Sequence, residues 1–157
     1  MNKEIVGVLF PIKSKYVERI FRYRTPVVVK YLSRIPRKPR NYALKRGMKI
    51  LFYVSGSGRK IAGQARIRDV EFLTPAETLT KYSDRLFLPP DDLVAYIAMQ
   101  PNRDATKPLL VLDLDEVVSF PDGIRHLKNM TMAVEYFDQE FYSKIESMIS
   151  AERRTMP

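Results

Sequence analysis

The spacing of apolar residues along the chain predicts five strands. Each run is rich in β-branched or aromatic residues and ends at proline, glycine or a polar turn. Pro11 is expected to close the first of them. The predicted strands cover residues 5–10, 27–32, 48–54, 60–72 and 109–118. Only residues 55–59, which begin with the glycine-rich turn 55–58, separate the third strand from the fourth, so these two are expected to form an antiparallel hairpin.

Four segments have the features of helices. Ser14 is a candidate N-cap for a helix whose apolar residues recur at helical spacing up to Phe21. Thr74-Pro75-Ala76-Glu77 has the composition of a capping box with proline at the first helical position. The two remaining helices are predicted from 89 to about 100 and over 138–152.

The order of these elements predicts the fold class. Strands outnumber crossover helices and a hairpin lies in the middle of the chain, which favours an α+β fold over a doubly wound parallel sheet. We expect a small, mostly antiparallel curved sheet or pseudo-barrel with flanking helices. The 157 residues suit a single domain over 1–157, with 74–100 as a helical insertion.

Charge is distributed unevenly. The net charge is +9, but residues 1–68 contain 18 Lys/Arg and 2 Asp/Glu, a balance of +16, whereas residues 69–157 have a balance of −7. A local excess of positive charge attracts polyanions, which favours nucleic acid as a partner. The alternative is that the fold interleaves the two halves and their charges form surface ion pairs.

The composition excludes several classes of site. Cysteine is absent and His126 is the only histidine, which excludes disulfides, thiolate chemistry and any site with two imidazoles. No apolar run approaches the roughly 18 residues of a membrane span, and no signal-peptide pattern opens the chain. We therefore expect a cytoplasmic protein with no cofactor and no membrane partner.

Two segments have the composition of a nucleic-acid surface. Residues 34–40 contain four cations stiffened by two prolines, and tyrosines nearby could stack on unpaired bases. The alternation of the fourth strand places Lys60, Arg66 and Arg68 on one face, and a glycine turn before it could bind an anion through its backbone. The alternatives are a solvated sheet face and a plain hairpin turn. The predicted phosphate-binding and base-stacking residues are Lys30, Tyr31, Arg34, Arg37, Lys38, Arg40, Tyr53, Ser57, Gly58, Arg59, Lys60 and Arg66.

Three acidic residues follow one another closely on the last predicted strand. Asp113, Asp115 and Glu116 include oxygen ligands of the kind that hard divalent cations prefer. No further ligand cluster accompanies them, so we expect no metal. Pairing of these carboxylates with the basic half is the preferred interpretation.

The predicted hairpin carries a resemblance to a known superfamily. Residues 47–53, the glycine turn and residues 61–67, with Gly63 in a hydrophobic-x-G pattern, resemble the central strands of PUA-like domains, which include the ASCH and EVE groups. The whole chain, including 72–75, 85–88 and 131–133, resembles an uncharacterised archaeal domain-of-unknown-function family. The resemblance implies a PUA-like pseudo-barrel that binds RNA or a modified base.

The same resemblance implies an alternative function. Some ASCH proteins are small amidohydrolases that act on acylated cytidine, with a lysine, a threonine and a glutamate in the pocket. Arg24-Thr25 occupies the position of their basic-Thr pair, and Lys30 and Glu135 are the matching candidates for the other two groups. We favour a non-catalytic RNA-binding module over this enzyme. Association of the basic half of one copy with the acidic half of another is a third alternative.

Overall fold

A single sheet of six strands organises the described part of the chain. The computed structural model describes residues 4–30, 44–55, 60–98, 108–125 and 134–155. The strands are β1 (Ile5–Lys13), β2 (Val27–Lys30), β3 (Lys49–Ser55), β4 (Lys60–Leu73), β5 (Leu109–Arg125) and β6 (Glu135–Asp138). Their order in the sheet is β2-β5-β4-β3-β1-β6, and every pair is antiparallel except β1–β3. The α+β class and the mostly antiparallel sheet are therefore confirmed.

In the ranges that the structure describes, four helices flank the sheet. They are α1 (Ser14–Arg22), α2 (Pro75–Tyr82), α3 (Pro90–Ala98) and α4 (Gln139–Thr155). The capping box is confirmed at α2, where the Thr74 backbone N–H donates to Glu77 Oε1 at 2.9 Å and the Glu77 backbone N–H donates to Thr74 Oγ1 at 3.2 Å. Within the described residues, none of these helices combines the length and the apolar character needed to cross a bilayer.

The sheet is curved, and among the strands that the structure describes no ladder joins β2 to β6. Strands β2 and β1 lie four places apart in the sheet, which would separate them by about 19 Å if the sheet were flat. Instead Lys30 Nζ on β2 lies 5.2 Å from the centre of the Phe10 ring on β1. The strands therefore curl until residues near the two edges meet.

Two apolar clusters lie on opposite faces of the curl. Val8 and Phe10 of β1 point into the main cluster with residues of β2, β3, β4 and β5, whereas Leu9 between them points into the second. The second cluster packs α4 onto the sheet through Tyr142 and Ile145. Strand β1 is thus covered on both faces, which explains its continuous apolar run.

Two local predictions about the first strand and helix were wrong. Pro11 does not end β1, because it is the register partner of Tyr53 in the β1–β3 ladder and the strand continues to Lys13. Ser14 is not the N-cap of α1: Lys13 has that position and makes no side-chain capping bond. The strand runs directly into the helix and leaves no loop in which a serine could cap it.

Strand β5 is longer than its predicted range of 109–118. Its apolar pattern weakens after Val118, but pairing with β4 continues as far as Arg125, opposite Lys60. The four-residue strand β6 was missed, because EYFD is too short and too polar to show a strand pattern. Residues 31 and 32 of the second predicted strand lie outside the described residues, as do 99 and 100 of the third predicted helix.

Candidate nucleic-acid interface

An open cleft lies where the chain leaves α1 and crosses the middle of β5. Its volume is about 870 Å³. One wall is the segment 21–25, at the end of α1, and the other is formed by β5. The β5 residues that line it are Asp115, Glu116, Val117 and Ser119.

Gly63 determines the position of the aromatic wall of the cleft. A Cβ at Gly63 would lie 2.4 Å from both Phe21 Cζ and the Val118 carbonyl oxygen. The missing side chain therefore allows the Phe21 ring to lie against β4, where it also meets Phe52 edge-on with ring centres 5.8 Å apart. This close approach gives a physical reason for glycine at this position of the hydrophobic-x-G pattern.

Two arginines on the α1 side of the cleft are exposed. Arg22 is 57% exposed, and among the described residues its one ion pair is a 4.0 Å contact with Glu18, which is itself highly exposed. Arg24 is exposed, and within the described part of the chain it has no hydrogen bond or ion pair. Between them Tyr23 is half-buried, with the Arg19 guanidinium 5.9 Å from its ring centre. The α1 wall of the cleft therefore combines positive charge with aromatic surface.

A bulge in β5 forms the opposite wall. Gln64 pairs with Val118 but Arg66 pairs with Asp115, so two steps along β4 correspond to three along β5. Glu116 lies in this extra stretch with a φ of 48°, in the left-handed region that non-glycine residues seldom adopt. Its side chain is 57% exposed, and its Oε1 lies 3.5 Å from Arg66 Nη1.

Behind this wall, arginines and aspartates form an ion-pair cluster. We use that name for Arg66, Arg68, Arg85, Asp113 and Asp115. Arg66 donates to both oxygens of Asp115, at 3.0 and 2.9 Å. Arg68 and Arg85 donate to different oxygens of the buried Asp113, at 2.7 and 2.9 Å. The predicted pairing of the acidic strand with the basic half is thus confirmed.

Hydrogen bonds and charge shift the pKa values within this cluster in opposite directions. The Arg66 guanidinium, by hydrogen bonding and then by charge, lowers the pKa of Asp115, and Arg68 and Lys49 add to this effect. The hydrogen bond to Asp115 likewise raises the pKa of Arg66. Both groups are therefore held in their charged forms. Among the described residues, no group of three His, Cys, Asp or Glu side chains is placed to hold a metal ion.

Arg85 connects the ion-pair cluster to the cleft. Besides Asp113, its Nη1 donates to the carbonyl oxygen of Thr25 at 2.5 Å and to Thr25 Oγ1 at 2.9 Å. Thr25 is the last residue of the α1 wall. The cluster therefore fixes the point where the chain turns from the cleft into β2.

Of the predicted nucleic-acid-binding residues, the structure describes Lys30, Tyr53, Lys60 and Arg66, and it does not bring these four onto one exposed face. Lys30 and Tyr53 are buried, with exposures of 5% and 4%. Lys60 is exposed at the start of β4, six residues and about 20 Å from Arg66, which belongs to the ion-pair cluster. The remaining predicted residues lie outside the described part of the chain and stay predictions: Tyr31, Arg34, Arg37, Lys38, Arg40, Ser57, Gly58 and Arg59.

The three residues of the hydrolase alternative belong to different parts of the sheet. Thr25 lines the cleft, whereas Lys30 lies five residues further along an extended segment, about 16 Å away. Glu135 is on β6, the opposite edge strand from β2, and is the register partner of Leu9, which faces the α4 cluster.

Reasoning from sequence missed the residues that form the cleft. Arg22, Tyr23 and Glu116 were not assigned to binding, and Arg24 was considered only for the hydrolase. The run Arg22-Tyr23-Arg24 does place an aromatic residue between two cations, a pattern that could have identified the α1 wall. The sequence marked Glu116 only as one of three closely spaced acidic residues, because its place in the cleft depends on the register of β5 against β4.

Comparison with known proteins identifies the family. The family model described as "Domain of unknown function (DUF365)" matches residues 5–139. The chain belongs to this family. No curated protein matches the chain.

Solved structures of the ASCH protein from Zymomonas mobilis have a similar fold. The unsubstituted protein is 11% identical with a TM-score of 0.70, and the match covers 90% of this chain and 94% of that one. Two single-substitution mutants of the same protein give TM-scores of 0.69 and 0.70 at 11% and 12% identity, covering 90% and 94% of this chain and 97% and 99% of theirs. This DUF365 chain therefore has a fold similar to that of these ASCH structures.

Proposed function

We propose that this DUF365 protein is an RNA-binding module that holds an unpaired nucleotide or a modified base on its basic N-terminal half. The observation that carries the proposal is the α1 wall of the cleft, which is lined by Tyr23 and by its two sequence neighbours, the exposed Arg22 and Arg24. The likeness in fold to ASCH proteins supports a PUA-like domain of the RNA-binding type.

The chemistry of the α1 wall suits single-stranded RNA. Guanidinium groups pair with phosphate oxygens, and aromatic faces stack on bases that are not stacked in a duplex. Arg22 and Arg24 are available for phosphates because, among the described residues, Arg24 has no hydrogen bond or ion pair and Arg22 has only the 4.0 Å contact with Glu18. Asp115 and Glu116 line the opposite wall, but both contact Arg66. A cleft of about 870 Å³ is large enough to accept one nucleotide.

The basic residues outside the described range would extend this surface. Arg34, Arg37, Lys38 and Arg40 lie between β2 and β3 in sequence, and Arg59 precedes β4. We propose that they contact neighbouring phosphates along the strand. Their contribution would appear as additional salt dependence, because each neutralised phosphate releases counterions.

A salt titration tests the proposal. The affinity for a fluorescein-labelled single-stranded RNA octamer is measured by anisotropy over a range of salt concentrations. We expect affinity to fall steeply with salt, and Arg24→Gln to weaken binding about fivefold and to flatten the logarithmic slope by about 0.7. Lys144→Gln is the matched control, because it removes an equal charge from the exposed face of α4.

Two results would contradict the proposal. The first is an absence of salt-sensitive binding tighter than about 10⁻⁴ M, the weak end of non-specific affinity. The second is an equal loss in Arg24→Gln and Lys144→Gln, which would mean that net charge rather than the cleft attracts the RNA.

A further inference from the structure

The two carboxylates that line the cleft, Asp115 and Glu116, differ in how much hydrogen-bond acceptor capacity remains for a ligand. Asp115 accepts from Arg66 through both oxygens, at 3.0 and 2.9 Å, and its side chain is 21% exposed. Glu116 approaches the same arginine through Oε1 alone, at 3.5 Å, and is 57% exposed. Glu116 therefore keeps acceptor capacity that Asp115 has already used.

The backbone at Glu116 points to a role for its side chain. A φ of 48° is unfavourable for a residue with a Cβ, and glycine or asparagine would adopt it more easily. A bulge changes the direction in which a side chain points. This bulge places the Glu116 carboxylate in the β5 wall of the cleft, which faces the α1 wall. Strained backbone that positions a polar group in a cleft is a feature of ligand sites.

A fixed carboxylate discriminates among bases because it accepts hydrogen bonds and cannot donate them. Guanine presents two adjacent donors, N1–H and N2–H, on its Watson–Crick edge. Cytosine and adenine present one amino group beside an acceptor nitrogen, and uracil presents one N–H between two carbonyl oxygens. An ionised carboxylate therefore matches guanine best, and this edge is accessible only in an unpaired base.

We propose that Glu116 makes the cleft selective for an unpaired guanine in RNA. The carboxylate accepts from the base while Arg22 and Arg24 contact the flanking phosphates and Tyr23 contacts the ring. Arg66, at 3.5 Å, holds the glutamate in place without using all of its acceptor capacity. This inference rests on the proposed function and adds the identity of the base to it.

The experiment compares three single-stranded octamers that differ at one central position. The reference is oligo-uridine, the second has one guanosine, and the third has one inosine, which keeps N1–H and lacks the N2 amino group. With the wild-type protein we expect the guanosine octamer to bind about tenfold more tightly than oligo-uridine, with inosine between them. Glu116→Gln should reduce the guanosine preference to about twofold or less.

The control variant is Glu146→Gln on the exposed face of α4, which makes the same change of charge away from the cleft and should keep the preference.

If the wild-type protein binds all three octamers equally, the guanine assignment is wrong although the RNA-binding proposal stands. If it binds none of them, both proposals fail. If Glu116→Gln retains the full preference, Glu116 does not read the base. The inosine comparison needs no variant, so it remains decisive if a variant does not fold.

Discussion

The arginines of β4 and the arginines at the end of α1 come from the same basic half of the sequence but have different surroundings. Arg66 and Arg68 lie beside β5, whose Asp113 and Asp115 accept from them at 2.7–3.2 Å. Arg22 and Arg24 line the cleft, and the carboxylate that Arg22 meets, Glu18, lies 4.0 Å away.

The difference shows why a count of charges does not locate a binding surface. The acidic residues of β5 come from the half of the chain with the negative balance, and the sheet places them directly beside the basic strand. Part of the charge excess of residues 1–68 is thus neutralised inside the ion-pair cluster. The available charge lies at the α1 wall of the cleft, where, among the described residues, Arg22 has only its 4.0 Å contact with Glu18 and Arg24 has no ion pair.

The largest expected effect is on the ion-pair cluster. Asp113→Asn keeps the size of the side chain but leaves Arg68 and Arg85 without their shared anion at a position where Asp113 is only 10% exposed. We expect the free energy of unfolding to fall by about 2–3 kcal/mol, measured by urea denaturation. Glu146→Gln should stay within about 0.5 kcal/mol of the wild type. A similarly small loss in Asp113→Asn would show that the cluster does not hold the fold together.

The comparison between the two groups of arginines is tested by matched substitutions. Arg24→Gln and Arg68→Gln each remove one positive charge from the N-terminal half. We expect Arg24→Gln to weaken RNA binding about fivefold with an unchanged urea midpoint. Arg68→Gln should lower the urea midpoint and leave affinity within about twofold, because its charge is already paired. The reverse pattern would place the RNA on β4 rather than in the cleft.

The bulge of β5 gives a smaller expected effect. Glu116→Gly and Glu116→Ala both remove the carboxylate, but only glycine relieves the positive φ. We therefore expect the glycine variant to be about 1 kcal/mol more stable than the alanine variant in urea denaturation. Both should lose the guanine preference. Equal stabilities would indicate that the bulge is not strained.

The smallest effect concerns acid stability. Arg66 lowers the pKa of Asp115, and Lys81 and then Tyr82, by hydrogen bonding, lower that of Glu71. Each of these carboxyl groups has a lower pKa in the folded state than in the unfolded state, so the folded state binds fewer protons. The ionised carboxylates therefore stabilise the folded state above about pH 4, and that contribution is lost as the pH falls further. Urea midpoints measured from about pH 6 to about pH 2 should decline less steeply in Asp115→Asn and in Arg66→Gln. An unchanged slope in both variants would exclude this pair as a source of acid sensitivity.

Most of the secondary structure could be predicted because its signals are local. The alternation Ile61, Gly63, Ala65 and Ile67 predicted the buried positions of β4, and all four are buried in the structure. Their placement on one face was wrong for Ile61, because a bulge between Ile61 and Gly63 turns Ile61 into the second cluster whereas Ala65 and Ile67 lie in the main one. The capping box at Thr74 depends on contacts within four residues and was found where expected. The ends of β1 and β5 could not be predicted, because pairing with other strands extends them past Pro11 and Val118.

Side-chain accessibility was decided by the tertiary structure. Lys30 and Tyr53 have polar groups typical of a binding surface, yet the curl of the sheet buries both. Alternation along one strand indicates which residues share a face, but whether that face is exposed to solvent depends on strands and helices that are distant in sequence.

The sequence by itself determined the order and type of most elements, the mostly antiparallel sheet and the excess of charge on the N-terminal half, because these depend on composition and on short-range spacing. Only the tertiary structure decided which cations are neutralised and where the cleft lies. Asp113 and Asp115 are more than 40 residues from Arg68 and Arg66, and Glu116 is about 90 residues from Thr25. The pairing of β5 with β4 and β2 brings these residues together in space, and no local sequence pattern encodes that pairing.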